Sequence, residues 1–235
     1  MNLLGSTDSP ENNVRLLVLG DSLPFGRPSH GVELEMTWPY LLENSVARTT
    51  LRARGGATIY DTRRELETLV GYWGSTSDLA RPFDAIILQQ GIVDCCPRPL
   101  PRLAHRAVRP LPMAGRSLAG GALVPRRYWR PWTSLGRFEQ EANRITAAAH
   151  QLAKHVFWLE IARPAHYLVE NCGDFSTAVR TYNAILKAGP AQFVSLWNDG
   201  DSSQHLLPDG HHLNLQGHRY VARMVDRKAL SASNG

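Results

Sequence analysis

The sequence predicts an α/β sandwich built on a mostly parallel β-sheet. Short apolar runs and segments with helical apolar spacing alternate about five times along the 235 residues, an alternation typical of βαβ units. Two of the apolar runs, 14–19 (VRLLVL) and 83–91 (FDAIILQQG), are closed by a glycine. Continuous apolar runs of this length indicate strands that helices cover on both faces.

The predicted elements follow in order along the chain. Apolar runs place the five strands at 14–19, 49–53, 83–91, 155–160 and 191–197. Apolar residues at helical spacing place the helices at 37–47, 58–70, 138–152, 175–186 and 215–225. The chain is long enough for one sizeable core. We therefore expect a single domain over 14–228, between a flexible N-terminal tail (1–13) and a C-terminal tail (229–235).

The positive charge of the chain is concentrated in one segment. The formal net charge is +5, and residues 97–132 contain eight arginines and seven prolines but no lysine or acidic residue. The remainder has 18 basic and 21 acidic side chains, a net charge of −3, so we do not expect a nucleic-acid partner. The composition of 97–132 predicts an insertion without regular structure, which is either disordered or a lid over the site.

If this insertion is a lid, Arg98 and Trp129 are candidate substrate-binding residues. Guanidinium groups bind carboxylates and phosphates through paired hydrogen bonds. An indole ring stacks on another ring or covers an acyl chain. The insertion therefore favours an anionic substrate.

The sequence contains no pattern typical of export or of a membrane anchor. Residues 1–13 lack the basic start and apolar core of a signal peptide, and no apolar stretch approaches the roughly 18 residues that span a bilayer. The three cysteines do not have metal-binding spacing. We expect a cytoplasmic protein with no membrane partner and no metal site.

A serine just after the first strand is the candidate nucleophile. A hydroxyl such as that of Ser22 is a weak nucleophile until an imidazole accepts its proton and a carboxylate fixes the imidazole tautomer. Asp209 and His212 supply such a pair, in the loop before the last predicted helix. Because the carboxyl ends of parallel strands meet at one edge of a sheet, we expect all three residues to lie together there.

Four blocks of the sequence resemble the SGNH (GDSL-type) hydrolases in order and spacing: GDSL at 20–23, GGAT at 55–58, GIVD at 91–94 and DGHHLN at 209–214. The resemblance implies a flavodoxin-like three-layer α/β/α sandwich with a mostly parallel five-stranded sheet. It also implies a catalytic triad with Ser22 as nucleophile, His212 as general base and Asp209 as the acid that orients it. The Asp-x-x-His spacing selects His212 over the adjacent His211.

The resemblance further implies an oxyanion hole with three donors, and the chain departs from it at one of them. The backbone N–H groups of Ser22 and Gly56 match two donors. The third is an asparagine in a Gly-x-Asn-Asp block, where this chain has Val93. Loss of one such donor typically costs about 10²–10³ in rate. Three nearby residues are candidate replacements: Gln89, Gln90 and Arg98.

The sequence thus predicts a serine esterase that hydrolyses an acyl ester through an acyl-enzyme intermediate and needs no cofactor. The expected substrate is a small-molecule ester, such as an O-acyl or O-acetyl group on a sugar or on an anionic small molecule. Two alternatives remain open. One is an acyltransferase that uses the same triad, and the other is a non-catalytic protein whose arginine-rich segment docks an anionic partner.

Three further polar residues are predicted to have structural roles. Asp21 precedes the candidate nucleophile and is expected to shape its turn through side-chain to backbone hydrogen bonds. Asp94 lies at a strand end and is expected to hold loops together. His218 lies on the apolar face of the last predicted helix, so we expect it to pack in the core.

Overall fold

The computed structural model describes residues 14–43, 47–74, 81–100, 125–197 and 202–230, and these form a five-stranded sheet in the order β2-β1-β3-β4-β5. All neighbouring strands are parallel. This strand order is that of flavodoxin-like folds, so the predicted sandwich is confirmed. The strands are β1 (Val14–Gly20), β2 (Ala47–Ala53), β3 (Phe83–Gln89), β4 (Ala153–Leu159) and β5 (Gln192–Val194).

Seven α-helices accompany the sheet within the described residues. The first three are α1 (Trp38–Glu43), α2 (Ile59–Gly74) and α3 (Ile92–Cys95). The others are α4 (Leu135–Leu152), α5 (His166–Cys172), α6 (Ser176–Ala188) and α7 (Leu215–Val225). Helix α7 continues into a π-helical turn, Asp226–Leu230.

Both faces of the sheet are buried, as the apolar runs predict. In β1, Leu17 and Leu19 pack in one core cluster and Leu16 and Val18 in another, because successive side chains of a strand point to opposite faces. Helices α2, α4 and α6 contribute apolar residues to the first cluster. Helices α1 and α7 contribute to the second. The result is three layers with the sheet in the middle.

Two predicted elements are four or more residues shorter in the structure. The first helix ends at Glu43 rather than at residue 47, because Ala47 already pairs with Val14 of β1. The last strand has three residues instead of seven. The chain leaves the sheet there because a carboxylate oxygen of Glu160 accepts the N–H groups of Leu196 and Trp197, at 2.8 and 3.0 Å. Helix α5 was not predicted from the sequence.

The two described ends of the arginine-rich insertion lie side by side. Arg98 and Arg130 exchange backbone hydrogen bonds of 3.0 and 3.2 Å, and the guanidinium of Arg98 lies over the ring of Trp132 at 5.1 Å. Residues 101–124 lie outside the described residues, so the choice between a disordered segment and a lid stays a prediction.

The structure describes the first two residues of the predicted C-terminal tail and none of the predicted N-terminal tail. Residues 1–13 and 231–235 lie outside the described residues, and with them the predicted N-terminal tail. Ala229 and Leu230, which were predicted to begin the C-terminal tail, are instead buried in the final turn. Among the described residues, no helix has the length and apolarity needed to cross a membrane.

Gly20 is expected to tolerate no side chain. It ends β1, and a Cβ atom at this position would lie 2.1 Å from the carbonyl oxygen of Gln89 in β3, so the strands would have to separate. We expect Gly20→Ala to lower the free energy of unfolding by about 1–3 kcal/mol, measured by urea denaturation.

The matched control is Gly71→Ala, in the exposed part of α2, where an added Cβ meets no atom within 4 Å. This change should raise the unfolding free energy by about 0.5–1 kcal/mol, since alanine favours helix over glycine. Equal effects of the two substitutions would contradict the assignment of Gly20 as a packing position.

Candidate active site

The turn that carries Ser22 begins where β1 and β3 end together. The N–H of Asp21 donates to the carbonyl of Gln89 at 3.2 Å, and the N–H of Arg54, just after β2, donates to the carbonyl of Gly20 at 3.1 Å. The ends of three neighbouring strands are thus joined by backbone hydrogen bonds at the carboxyl edge of the sheet. Ser22, with 8% of its surface exposed, lies at this edge.

Asp21 shapes the turn, as predicted. Its Oδ1 accepts the N–H of Leu23 at 3.0 Å, while its fully buried Oδ2 has no hydrogen-bond partner among the described residues. Burial raises the pKa of Asp21 to about 7, and the nearby Asp94 adds to the rise against backbone hydrogen bonds that lower it.

The Asp209 carboxylate organises the loop before α7. Its Oδ1 accepts the N–H groups of His211 and His212, at 3.1 and 3.0 Å, and its Oδ2 lies 2.6 Å from Nδ1 of His212. Burial by itself raises the pKa of Asp209, but these hydrogen bonds outweigh it and hold the pKa well below its ordinary value. The carboxylate is therefore ionised at neutral pH.

The imidazole of His212 also contacts Ser22, which lies near the other end of the sequence. Nε2 of His212 lies 2.9 Å from Oγ of Ser22, although the two residues are 190 positions apart. Since an ionised carboxylate only accepts hydrogen bonds, Nδ1 of His212 carries the proton that faces Asp209. Nε2 then presents its lone pair to the serine hydroxyl, which is the arrangement that a general base requires.

His211 packs against His212 and lies farther from the Asp209 carboxylate than His212 does. Its ring lies against that of His212, with centroids 3.9 Å apart, and its Nδ1 lies 3.5 Å from Oδ1 of Asp209. Burial, with a further contribution from His212, lowers the pKa of His211 to about 4. His211 is therefore neutral near pH 7, and its hydrogen bonds do not include Ser22.

The two histidines and Asp209 also offer ligand atoms within 4.8 Å of one another, the only such group found among the described residues. The Asp209 and His212 atoms are, however, only 2.6 Å apart. Two ligands that each lie about 2.0–2.2 Å from one tetrahedral zinc ion are farther apart than that. The observed distance is that of a hydrogen bond, and a metal ion in this place would break it.

Asp94 ties together the loops around the site, as predicted. It is fully buried, and its oxygens accept the N–H of Ile59 at 3.1 Å, the Nε2 of Gln90 at 2.9 Å and the hydroxyl of Thr133 at 2.6 Å. One carboxylate therefore joins the start of α2, the end of β3 and the segment before α4.

The candidate oxyanion-hole residues lie in different surroundings. Gly56 lies in the exposed turn after β2 with a positive φ of 69°, a conformation that favours glycine. Val93 is buried in α3. The amide nitrogen of Gln90 already donates to Ala57 at 2.8 Å and to Asp94, while Oε1 of Gln89 accepts the indole N–H of Trp38 at 2.8 Å.

The two candidate substrate-binding residues lie at the base of the insertion. Arg98 is half-buried against Trp132 and acts electrostatically on His211, whose pKa it helps to lower. Trp129 is partly exposed next to the Arg98–Arg130 bridge. The hydrogen bonds of Ser22, His212 and Asp209 to described residues include neither of them.

Sequence reasoning missed one member of the site, Arg27. Its Nη2 contacts Nε2 of His212, the nitrogen that faces Ser22, across 185 positions of sequence. The only signal in the sequence was its place five residues after Ser22. Farther back, His218 is fully buried as predicted, and its Nδ1 accepts the N–H of Trp38 at 3.3 Å.

Solved structures share this fold at low sequence identity. A member of the lipolytic protein G-D-S-L family from Veillonella parvula aligns with a TM-score of 0.59 and 13% identity, over 92% of this chain and 98% of that one. The lipase/acylhydrolase from Enterococcus faecalis aligns with a TM-score of 0.59 and 10% identity, over 93% and 96%. An acetylxylan esterase from Geobacillus stearothermophilus aligns with a TM-score of 0.52 and 15% identity, over 92% and 95%.

These similarities concern the fold. No protein-family model matches the chain, and no curated protein sequence matches it significantly. The expectation of a flavodoxin-like sandwich shared with GDSL-type proteins is confirmed at that level.

The raised pKa of Asp21 predicts a pH-dependent cost to folding. Because the folded-state pKa of about 7 lies above the unfolded value, the folded state binds the proton more tightly. The free energy of unfolding then falls as pH rises from about 4 to about 7. Asp21→Asn keeps an acceptor for Leu23 and removes the charge, so it should stabilise the protein at pH 8 by up to about 4 kcal/mol.

Urea denaturation of both proteins between pH 4 and pH 8 measures this effect. The gain from Asp21→Asn should be absent near pH 4, grow up to pH 7 and stay level above it. A stability difference that does not vary with pH would show that Asp21 does not titrate in this range.

Proposed function

We propose that the protein is a serine hydrolase that cleaves a small-molecule ester. The observation that supports this most directly is the continuous set of contacts from Asp209 through His212 to Ser22, with atom pairs 2.6 and 2.9 Å apart. A carboxylate, an imidazole of fixed tautomer and a hydroxyl in this order form the arrangement that activates a serine. The fold shared with GDSL-type esterases and lipases gives independent support.

The reaction proceeds through an acyl-enzyme. Oγ of Ser22 attacks the acyl carbonyl carbon as its proton passes to Nε2 of His212, and Asp209 stabilises the resulting imidazolium. The tetrahedral intermediate breaks its carbon–oxygen bond, and the leaving alkoxide takes the proton from Nε2. A water molecule then attacks the acyl-enzyme, again with His212 as base, and releases the acid and free Ser22.

The oxyanion that forms on the carbonyl oxygen is bound by the backbone N–H groups of Ser22 and Gly56. Val93 provides no side-chain donor, and the amide nitrogen of Gln90 is occupied by Ala57 and Asp94. A site with two donors instead of three is slower by about 10²–10³-fold. We therefore propose a modest turnover number, with reactive or well-positioned esters as the better substrates.

The substrate is proposed to carry a small acyl group, such as an acetyl ester of a sugar or of an anionic small molecule. One structural neighbour is an acetylxylan esterase. Arg98, half-buried beside Trp132, and Trp129 next to it are proposed to contact the substrate from the base of the insertion.

Ser22→Ala tests the nucleophile. We expect hydrolysis of 4-nitrophenyl acetate to fall by roughly 10⁴–10⁶-fold with an unchanged melting temperature. A fluorophosphonate probe should label the wild-type protein on Ser22 and leave this variant unlabelled. The control is Ser134→Ala, an exposed serine whose side chain makes no capping hydrogen bond. Equal activity of the two variants would refute the assignment.

Asp209→Asn tests the tautomer. The asparagine oxygen still accepts from the loop N–H groups, but its NH₂ group donates to Nδ1 of His212 and places the imidazole proton on Nε2. The base then has no lone pair for Ser22, and kcat should fall by roughly 10³–10⁴-fold.

His211→Gln, the control for Asp209→Asn, should stay within about tenfold of wild type. If His211→Gln were the more damaging change in the same assay, the general base would be His211.

A further inference from the structure

Arg27 is held rigidly beside the reacting atoms. Its backbone N–H donates to Val32 at 2.6 Å and its carbonyl accepts from Val32 at 3.1 Å, which closes a short loop after the nucleophile turn. Its Nη1 donates to the carbonyl of Gly26 at 3.1 Å, and its Nη2 contacts Nε2 of His212. Hydrogen bonds of both the main chain and the side chain of Arg27 thus hold its guanidinium beside His212.

Among the described residues, the Arg27 guanidinium has no carboxylate partner. In the part of the chain that the structure describes, no carboxylate oxygen lies within 4.0 Å of Arg27. Asp209 and Asp21 act on it electrostatically without contacting it, and burial lowers the pKa of Arg27. A half-buried charge that no counter-ion contacts is unfavourable, so the place of Arg27 beside His212 points to a ligand that supplies a negative charge.

The contact of Arg27 with His212 also has a chemical consequence. Nδ1 carries the proton toward Asp209, so Nε2 has a single lone pair. Two donors, the hydroxyl of Ser22 and the Nη2–H of Arg27, are directed at this lone pair. While Arg27 occupies the lone pair, the base is less available to take the proton of Ser22.

We infer that Arg27 is the specificity-determining residue of the site and binds a carboxylate or phosphate in the alcohol part of the substrate. When Arg27 binds this anion, Nε2 of His212 becomes free to accept the proton of Ser22. The inference rests on the proposed function. The alcohol part is specified because Nε2 passes its proton to the leaving alkoxide, so a group beside Nε2 lies next to that half of the ester.

Arg98 adds to the positive field at the histidine pair. Its buried Nε has no hydrogen-bond partner among the described residues, and it acts electrostatically on His211, whereas Arg27 contacts His212. Two guanidinium groups that have no carboxylate partner among the described residues therefore act on the pair. An anionic alcohol part suits this site better than a neutral one.

The test compares esters that differ only in charge. The substrates are 4-acetoxybenzoate, its neutral isostere 4-acetoxybenzamide, and 4-acetoxyphenyl phosphate. We expect the wild-type kcat/KM to favour the two anions over the amide by about 10- to 100-fold, the range of one charge-assisted hydrogen-bonded pair. The benzoate and phosphate arms then show which anion the site prefers.

Arg27→Met removes every side-chain donor and should bring the ratio of benzoate to benzamide kcat/KM close to one. Arg27→Lys, which keeps the charge without the planar fork, should give an intermediate ratio and serves if the methionine variant folds poorly. Arg64→Gln, on the exposed side of α2, is the matched control for loss of one positive charge and should keep the wild-type ratio. No preference in the wild type, or one that Arg27→Met retains, overturns the inference.

A binding measurement separates this inference from the proposed function. Calorimetry with 4-acetoxybenzoate and 4-acetoxybenzamide on the Ser22→Ala variant needs no turnover. The benzoate ester should bind more tightly than the benzamide ester to Ser22→Ala, but not to the double variant that also carries Arg27→Met. If no ester is hydrolysed and the fluorophosphonate does not react, the proposed function fails while the binding result still decides the role of Arg27. Equal binding of benzoate with and without Arg27 would overturn the inference by itself.

Discussion

The pairing of β1 with both of its neighbours is the constraint on which the site depends. Every residue from Val14 to Gly20 pairs with β2, and residues 16–20 also pair with β3. The turn that carries Ser22 therefore starts from a position that the sheet determines on both sides. Gly20 makes this close approach possible, because the carbonyl of Gln89 occupies the space that a Cβ atom would need.

Two carboxylates hold the remaining parts in place by different means. Asp94 is buried and binds the start of α2, Gln90 and Thr133, so one carboxylate links the loops around the site. Asp209 is more exposed and binds its own loop and the His212 ring. Asp94 thus fixes the loops around the site, and Asp209 fixes the direction of the His212 imidazole.

The strands and helices were largely predictable because their apolar spacing depends only on which faces are buried. The short β5 was not, since the chain leaves the sheet for the carboxylate of Glu160, and such a contact leaves no periodic pattern. The proximity of Ser22, His212 and Asp209 was predictable from their motifs and from the meeting of strand ends. Arg27 was not, because its contact with His212 arises from a loop closed by Val32 and spans 185 positions.

The distance in sequence between Ser22 and His212 also bears on how the proposed site forms. Their contact joins positions 190 residues apart, and such a contact carries a loop-closure entropy that pairing of the intervening strands helps to offset. A chain that lacks the loop before α7 has Ser22 but neither Asp209 nor His212. In the proposed mechanism, acylation of Ser22 therefore requires residues from both ends of the described chain, and reactivity of this serine would report on the folded molecule.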